Sequence, residues 1–408
     1  MDPTILKQGK FENRMNVPEP SLLSPKQLRV CVIAPSLDLY GGQSIQAARL
    51  IEGLNREPVI EAELLPINPR LPGLLQRLQR IKYARTVITE IAYLYLLITR
   101  LWRFDVIHVF SASYFSFTLA PTPAVLIAKL FGKPIALNYH SGEAEDHLNR
   151  WKRSVAPIFR LADRIVVPSN FLVDIFARFG VKAEAISNTV ELDRFTFRDR
   201  RPLCPVFLSN RNLEALYNVG DILRAFQIVE EQIPDAKLII AGDGNQREFL
   251  KSLAVELGLK RVEFLGAVAP TQMPAVYDSA DVFINASLVD NMPLSIIEAF
   301  ACGLPVVSNS TGGIPYIVAE GRNGLLVPPG DYRALAKKVV SLLENHEKAA
   351  GLIEMARKDS QQYTWATVRA KWLHLYSELA NAESDPKRAV TTAAQSLLSR
   401  FKVYLSRI

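Results

Sequence analysis

The stretch SLVDNMPLSIIEAFACGLPVVSNSTGGIPYIV, residues 287–318, decides how this chain folds. A strand ends at Ser287, a loop carries Asp290, a helical pattern covers 293–302, and an apolar strand, PVVSNS, follows at 305–310. Pro293 suits the first turn of a helix, where its missing N–H is no loss. The amides near Met292, Pro293, Leu294 and Ser295 then surround a helix N-terminus and face any anionic group placed there. Glu298 lies one to two turns further on, eight positions after Asp290.

The same rhythm extends outward. PVFLSN at 205–210, KLIIAG at 237–242, VEFLG at 262–266 and VFINAS at 282–287 are strand-like, with helical patterns at about 218–232, 246–258, 271–279 and 331–345. In the first half, LRVCVIAP at 28–35, VIHVF at 106–110, PIALNYH at 134–140, RIVVPS at 164–169 and AEAISN at 183–188 alternate with helical patterns such as 44–54 and 121–132. Apolar strands separated by helices imply an α/β protein with parallel sheets covered on both faces. A chain of 408 residues exceeds one ordinary core. The reading divides it into a flexible extension at 1–27, a first domain at 28–199, a second at 200–364 and C-terminal helices at 365–408. The boundary falls near DRRPLCP, 199–205, where charge and proline mix.

The formal charge of +7 suits anionic partners: phosphates, nucleic acid or acidic lipid. No aromatic–basic interleaving speaks for nucleic acid, and none is expected. Cys31, Cys204 and Cys302 lie far apart and form no CxxC pair, so buried, reduced thiols are expected. Residues 1–27 are polar and lack a signal peptide's apolar core, and a cytoplasmic location is expected. IAYLYLLI at 91–98 is too short to span a bilayer. Leu74, Leu75, Leu78 and Ile81, interleaved with Arg77, Arg80, Lys82 and Arg85, read either as a basic amphipathic stretch lying in a membrane interface or as a core helix with a wet basic face. The end of the chain, RFKVYLSRI, is also basic and amphipathic.

Several loops hold chemistry-bearing residues. SLDLYGGQS at 36–44 ends the first strand, and Gly41 and Gly42 let a ligand approach the backbone closely. AGDGNQ at 241–246 places Gly242 and Gly244 at the carboxyl end of a second-half strand, where such sheets bind ligands. HSGEAEDH at 140–147 contains metal-type residues in no standard zinc spacing, and no metal is expected. From spacing alone, Asp290 reads as a cap, Glu298 as a solvated side chain and His140 as structural.

Taken together, these motifs resemble glycosyltransferase family 4 over roughly residues 28–375. Glu298, Ala299, Ala301, Gly303, Pro305, Val306 and Val307 match the family's E-A-x-A-x-G-x-P-V-V signature. GDG at 242–244, ELGLKRVEFLG at 256–266, YDSADVFINAS at 277–287, GGIP at 312–315, NGLLVPPGDYRALA at 323–336 and SNTVELDRF at 187–195 extend the likeness. The resemblance implies the GT-B fold, two Rossmann-like domains whose parallel sheets face across a cleft. It implies a retaining, metal-independent, hexosyltransferase-like enzyme without a cofactor. The donor would be a nucleotide-sugar, a UDP-sugar first among them, and the acceptor a glycan or lipid-linked molecule, met in the cytoplasm or by peripheral contact at the membrane's inner face.

By this resemblance Glu298 binds the ribose, Asp290 faces the donor sugar where the family usually has glutamate, and His140 lines that sugar. Met292, Pro293, Leu294 and Ser295 meet phosphate or sugar, Gly41 and Gly42 lie opposite the diphosphate, and Gly242 adjoins the donor. Arg211 matches the family's arginine for the leaving diphosphate, a group that suits its planar fork. Three departures stand out. No lysine follows Arg211, Leu216 and Tyr217 standing near its place; Asp290 replaces glutamate; and Tyr316 ends the G-G-x-x turn, where glutamate is common. They leave room for a second reading, a non-catalytic glycosyltransferase-like binding subunit.

Overall fold

The computed structural model of the protein describes residues 27–39, 41–71 and 81–383. Two six-stranded parallel sheets form its frame. The first comprises β1 (Leu28–Ala34), β2 (Ile60–Pro66), β3 (Val106–Ser111), β4 (Ile135–Tyr139), β5 (Arg164–Val167) and β6 (Glu184–Ala185), in the order β2-β1-β3-β4-β5-β6. The second comprises β7 (Val206–Asn210), β8 (Lys237–Ala241), β9 (Val262–Gly266), β10 (Val282–Asn285), β11 (Val306–Asn309) and β12 (Leu325–Val327), in the order β12-β11-β10-β7-β8-β9. The order reverses between β1 and β3 in one sheet and between β7 and β10 in the other. Chains leaving neighbouring strands at such a point turn to opposite faces and open a crevice.

The sequence reading finds ten of these strands and misses β2 and β12. In β2, Ile60, Ala62 and Leu65 face inward while Glu61 and Glu63 face out, as befits an edge strand that lacks a continuous apolar run. β12 has only three residues. The helix expected over 293–302 is Leu294–Cys302. The helix Ala144–Leu161 begins inside the HSGEAEDH stretch, where no helix is read from the sequence.

Each sheet buries apolar residues on both faces. The first is covered on one face by helices Lys82–Arg100, Pro121–Leu130 and Ala144–Leu161, and on the other by Gly42–Asn55 and Trp365–Glu383. Trp365–Glu383 thus leaves the second sheet's sequence region and returns to the first sheet, burying Val368, Trp372, Leu375, Tyr376 and Leu379 beside Val30, Val32 and Val106. Gly53 permits this return, since a Cβ there would stand 2.5 Å from the Trp365 ring. The second sheet is covered by Val219–Gln232 and Tyr332–Glu344 on one face and by Leu294–Cys302 on the other.

The DRRPLCP strap binds the second sheet's layers through Arg200, whose buried guanidinium donates to the carbonyls of Ala280 (2.9 Å), Tyr277 (3.1 Å) and Cys302. Cys31 and Cys302 are buried as expected, but Cys204 is exposed. Leu203 takes the inward position of the strap and turns its neighbour outward.

His108 on β3 is fully enclosed, with Nδ1 2.6 Å from the Tyr376 hydroxyl and its ring stacked on Phe110. Burial, with a smaller contribution from His140, pushes its pKa down to about 3. Burial likewise lowers His140 to about 3. Unfolded, each takes up a proton near pH 6.5. Between there and pH 3 the unfolded chain therefore holds protons the folded chain refuses, and stability falls with pH by up to about 1.4 kcal/mol per unit for each histidine. Urea unfolding at pH 6.5 and 5.5 is expected to show this loss, with a shallower slope in His108→Phe. Equal stability of the parent protein at the two pH values would contradict it.

Candidate active site in the cleft between the sheets

A cavity of about 910 Å³ opens where the carboxyl ends of the two sheets face each other. Gly42, Arg49, His140 and Gly142 line it from the first half. Arg211, Tyr217, Gly242, Asp290, Met292, Pro293, Leu294, Ser295 and Glu298 line it from the second. Gly41 does not. It caps the helix Gly42–Asn55, its N–H donating to Ser44 Oγ at 3.1 Å. Around Gly42 nothing lies within 4 Å of a would-be Cβ, so open space adjoins the backbone at that helix start.

Arg211 follows β7 directly and is held from three sides. Its Nη2 donates to Asp290 Oδ2 at 2.6 Å, its Nη1 lies 3.4 Å from Ser295 Oγ, and its guanidinium stacks 4.1 Å over the Tyr217 ring. Its Nε is buried without a protein partner. The GDG turn seats this loop. A Cβ on Gly242 would stand 2.0 Å from the Arg211 carbonyl, and one on Gly244 would stand 2.4 Å from that of Leu213. Gly242 therefore both lines the cavity and lets Arg211's backbone pass.

Asp290 is enclosed in the loop after β10. Burial raises its pKa, while Arg211 and the Asn291 N–H draw it down. Gly312 and Gly313 leave room for the loop: added Cβ atoms would stand 2.0 Å from the Asp290 carbonyl and 1.7 Å from that of Asn291. Pro293 is the N-cap of Leu294–Cys302, and no side chain caps this helix, so its first amides and dipole are presented to the cavity.

Glu298 is half-buried. Its Oε2 accepts from the Tyr277 hydroxyl at 2.9 Å, and that hydroxyl accepts from Asn210 Nδ2 at 3.0 Å. Burial pushes the carboxyl's pKa up, and Arg49, reaching from the opposite half, draws it back. Sequence reasoning missed Tyr277, Asn210 and Arg49. Tyr277 sits within the YDSAD stretch quoted for the family likeness, but nothing local marks Arg49, since only the packing of the halves brings it near Glu298.

His140 stacks on Phe110 with ring centroids 4.9 Å apart, and its shielded Nε2 has no protein partner. The rest of HSGEAEDH disperses. His147 points into the core with Nδ1 2.9 Å from the Tyr139 hydroxyl, and Asp146 pairs with Arg150 at 2.8 Å. Among the described residues no three metal-type side chains converge.

The halves touch beside the site. Ser169 bonds Asn291, and Tyr316, the departure at the end of the GGIP turn, donates to Asp174 Oδ2 at 2.6 Å. Gly142 lies against the Val289 side chain and the Asp290–Asn291 backbone, where a Cβ would come 3.3 Å from Val289 Cγ1 and 3.4 Å from Asn291 N.

Family models match both halves: "Glycosyltransferase Family 4" over residues 40–194 and "Glycosyl transferases group 1" over residues 200–359. The chain belongs to glycosyltransferase family 4. Among curated relatives of this family 4 chain, the sulfoquinovosyl transferase SQD2 of Arabidopsis thaliana is 30% identical over 290 residues, 65% of this chain and 55% of that protein. A D-inositol 3-phosphate glycosyltransferase of Corynebacterium efficiens is 37% identical over 212 residues, 48% of this chain and 50% of that protein. The matches thus span about half the length of these relatives. Among solved structures, sucrose-phosphate synthase from Thermosynechococcus elongatus aligns with a TM-score of 0.71 at 20% identity, covering 87% of this chain and all of that one. HepE of Anabaena, crystallised with UDP and glucose, aligns with a TM-score of 0.67 at 19% identity over 86% of this chain and all of that one. The two facing parallel sheets are the GT-B fold.

Proposed function

We propose that this family 4 protein transfers a sugar, with retention of configuration, from a nucleotide-sugar to an acceptor. The observation that carries the reading is convergence: His140 and Gly42 from one sheet and Arg211, Asp290, Glu298 and an uncapped helix N-terminus from the other line one cavity. A UDP-sugar is the leading donor, supported by the UDP-bound fold neighbour. Residues 200–364 hold the donor and residues 28–199, with the returning helix, hold the acceptor. Glu298 accepts from the ribose hydroxyls, and Arg211 with the 294–295 amides takes the charge of the leaving diphosphate. Protein cation and dipole thereby serve without a metal. The bond from the anomeric carbon to the diphosphate breaks as the acceptor oxygen bonds to that carbon. The acceptor's proton leaves on the departing phosphate. Asp290, once the diphosphate draws Arg211 away, accepts from a donor-sugar hydroxyl, and neutral His140 offers its unpartnered Nε2 to the same sugar. A lipid-borne acceptor, reached by peripheral contact at the membrane's inner face, belongs to this reading.

A second reading, a binding subunit without turnover, draws on the Arg211–Asp290 pair. The cation meant for the diphosphate is already neutralised, and no lysine among the described residues lines the cavity beside it. Melting curves with millimolar UDP-, GDP- and ADP-sugars test the site. A ligand at a hundred times its Kd adds about 2.7 kcal/mol to stability, and the melting temperature rises. No shift with any of them would overturn nucleotide-sugar binding. A shift without donor hydrolysis or transfer would favour the second reading.

A further inference from the structure

Helix Lys82–Arg100 is apolar on both sides. Tyr93 and Leu97 are fully buried against the first sheet. Yet Val87, Ile91 and Tyr95 are 60%, 62% and 64% exposed, and Ile98 37%. At 100° per residue these four share an arc of about 80°, turned away from the buried side. Leu126 and Leu130 are exposed on the neighbouring helix Pro121–Leu130, which the first helix meets through the Tyr93 hydroxyl on the Ala120 carbonyl (2.9 Å). On the same side of the sheet, exposed Phe115 packs edge-on to Trp151 at 5.3 Å. The opposite face of the same sheet, under Trp365–Glu383, carries no comparable row among the described residues. An exposed apolar row along one helix, with further exposed apolar side chains on the helix beside it, marks a contact surface.

Charge identifies the occupant. Lys152 and Arg153 are exposed immediately after Trp151, and Arg85 is exposed at the start of the apolar helix. The chain as a whole carries +7. Apolar side chains flanked by cations match the interface of an anionic bilayer, where the former enter the acyl boundary and the latter meet the headgroups. No described helix is long and apolar enough to cross a membrane, so the contact is peripheral. We infer that the outer helical layer of the first sheet, centred on Val87, Ile91, Tyr95 and Ile98, seats the protein on an anionic lipid surface, beside the half that holds the acceptor. This rests on the lipid-borne acceptor proposed above and names the surface that meets it. The basic stretch around Leu74–Arg80 lies outside the described residues, as does RFKVYLSRI, and the surface proposed here includes neither.

Flotation of the full chain with vesicles of phosphatidylglycerol and phosphatidylcholine, or of phosphatidylcholine alone, tests it at low and high salt. The parent protein is expected to float with the anionic vesicles and to be released at high salt. Ile91→Glu/Tyr95→Glu is expected to weaken that binding at least about tenfold at an unchanged melting temperature, and Lys152→Glu/Arg153→Glu to weaken it as well. Parent-like flotation of Ile91→Glu/Tyr95→Glu would overturn the proposal. So would sedimentation showing a vesicle-free dimer that this pair of substitutions dissociates, since the face would then meet a second copy. Donor-induced thermal shifts, measured without vesicles on the same variants, separate failure of the surface from failure of the donor site.

Discussion

Arg211→Ala is expected to lower sugar transfer at least about tenfold. Hydrogen bonds to a charged group contribute about 1.5–3 kcal/mol, and each 1.4 kcal/mol at the transition state is a factor of ten in rate. The substitution also strands Asp290, because both side chains of the pair are nearly enclosed, at 12% and 9% exposure. Removing one partner of a buried pair costs about 3–5 kcal/mol, so melting will fall as well. The double variant Arg211→Ala/Asp290→Asn separates the two effects. It is expected to recover stability and not activity. Arg211→Lys should also be impaired, because an ammonium lacks the planar fork that meets Asp290 and Ser295 while stacking flat on Tyr217. Tyr217 lines the cavity and platforms the guanidinium rather than filling the core. Tyr217→Lys should therefore hold or raise donor affinity, by adding a cation where the diphosphate arrives, with a modest fall in melting temperature from the lost stack. Parent-like turnover in Arg211→Ala would remove the phosphate role and favour the binding-subunit reading.

The second large effect is expected at Glu298. Two ribose hydroxyls donating to a carboxylate, at about 1.5–3 kcal/mol each, make Glu298→Ala raise the donor's KM by at least about a hundredfold. The fold should tolerate the change. The carboxylate is held against its desolvation, and the Tyr277 hydroxyl has the Ser295 carbonyl 3.2 Å away as another acceptor. The discriminating measurement compares UDP with its 2′,3′-dideoxy analogue by thermal shift. The parent protein should prefer UDP strongly and Glu298→Ala hardly at all. A variant that keeps the parent's preference would place the ribose elsewhere.

Much of this was legible in the chain itself. Runs such as VCVIA in β1 and LIIA in β8 are apolar because both faces of a parallel strand are covered, and such runs, set between helical patterns, announced ten strands and the fold class. The 287–318 stretch placed Asp290, the helix start and Glu298 in one loop–helix unit because those positions follow from local geometry alone. β2 escaped because an edge strand alternates, and β12 because it is short.

Only the tertiary structure decided what each side chain meets. Arg211 and Asp290 are 79 positions apart and become a buried pair where β7 and β10 lie side by side. Tyr217, read as the gap left by a missing lysine, is the platform under Arg211. Tyr316, read as a lost glutamate, ties the second half to Asp174 of the first. The glycines at 242 and 244, read from the sequence as a ligand turn, and those at 312 and 313 in the GGIP motif all sit where protein backbone crosses closely. Local pattern is set by neighbours along the chain and can be read from it. Pairing across a cleft is set by which strand ends the sheet order brings together, and that order depends on long-range packing that no local pattern along the chain displays.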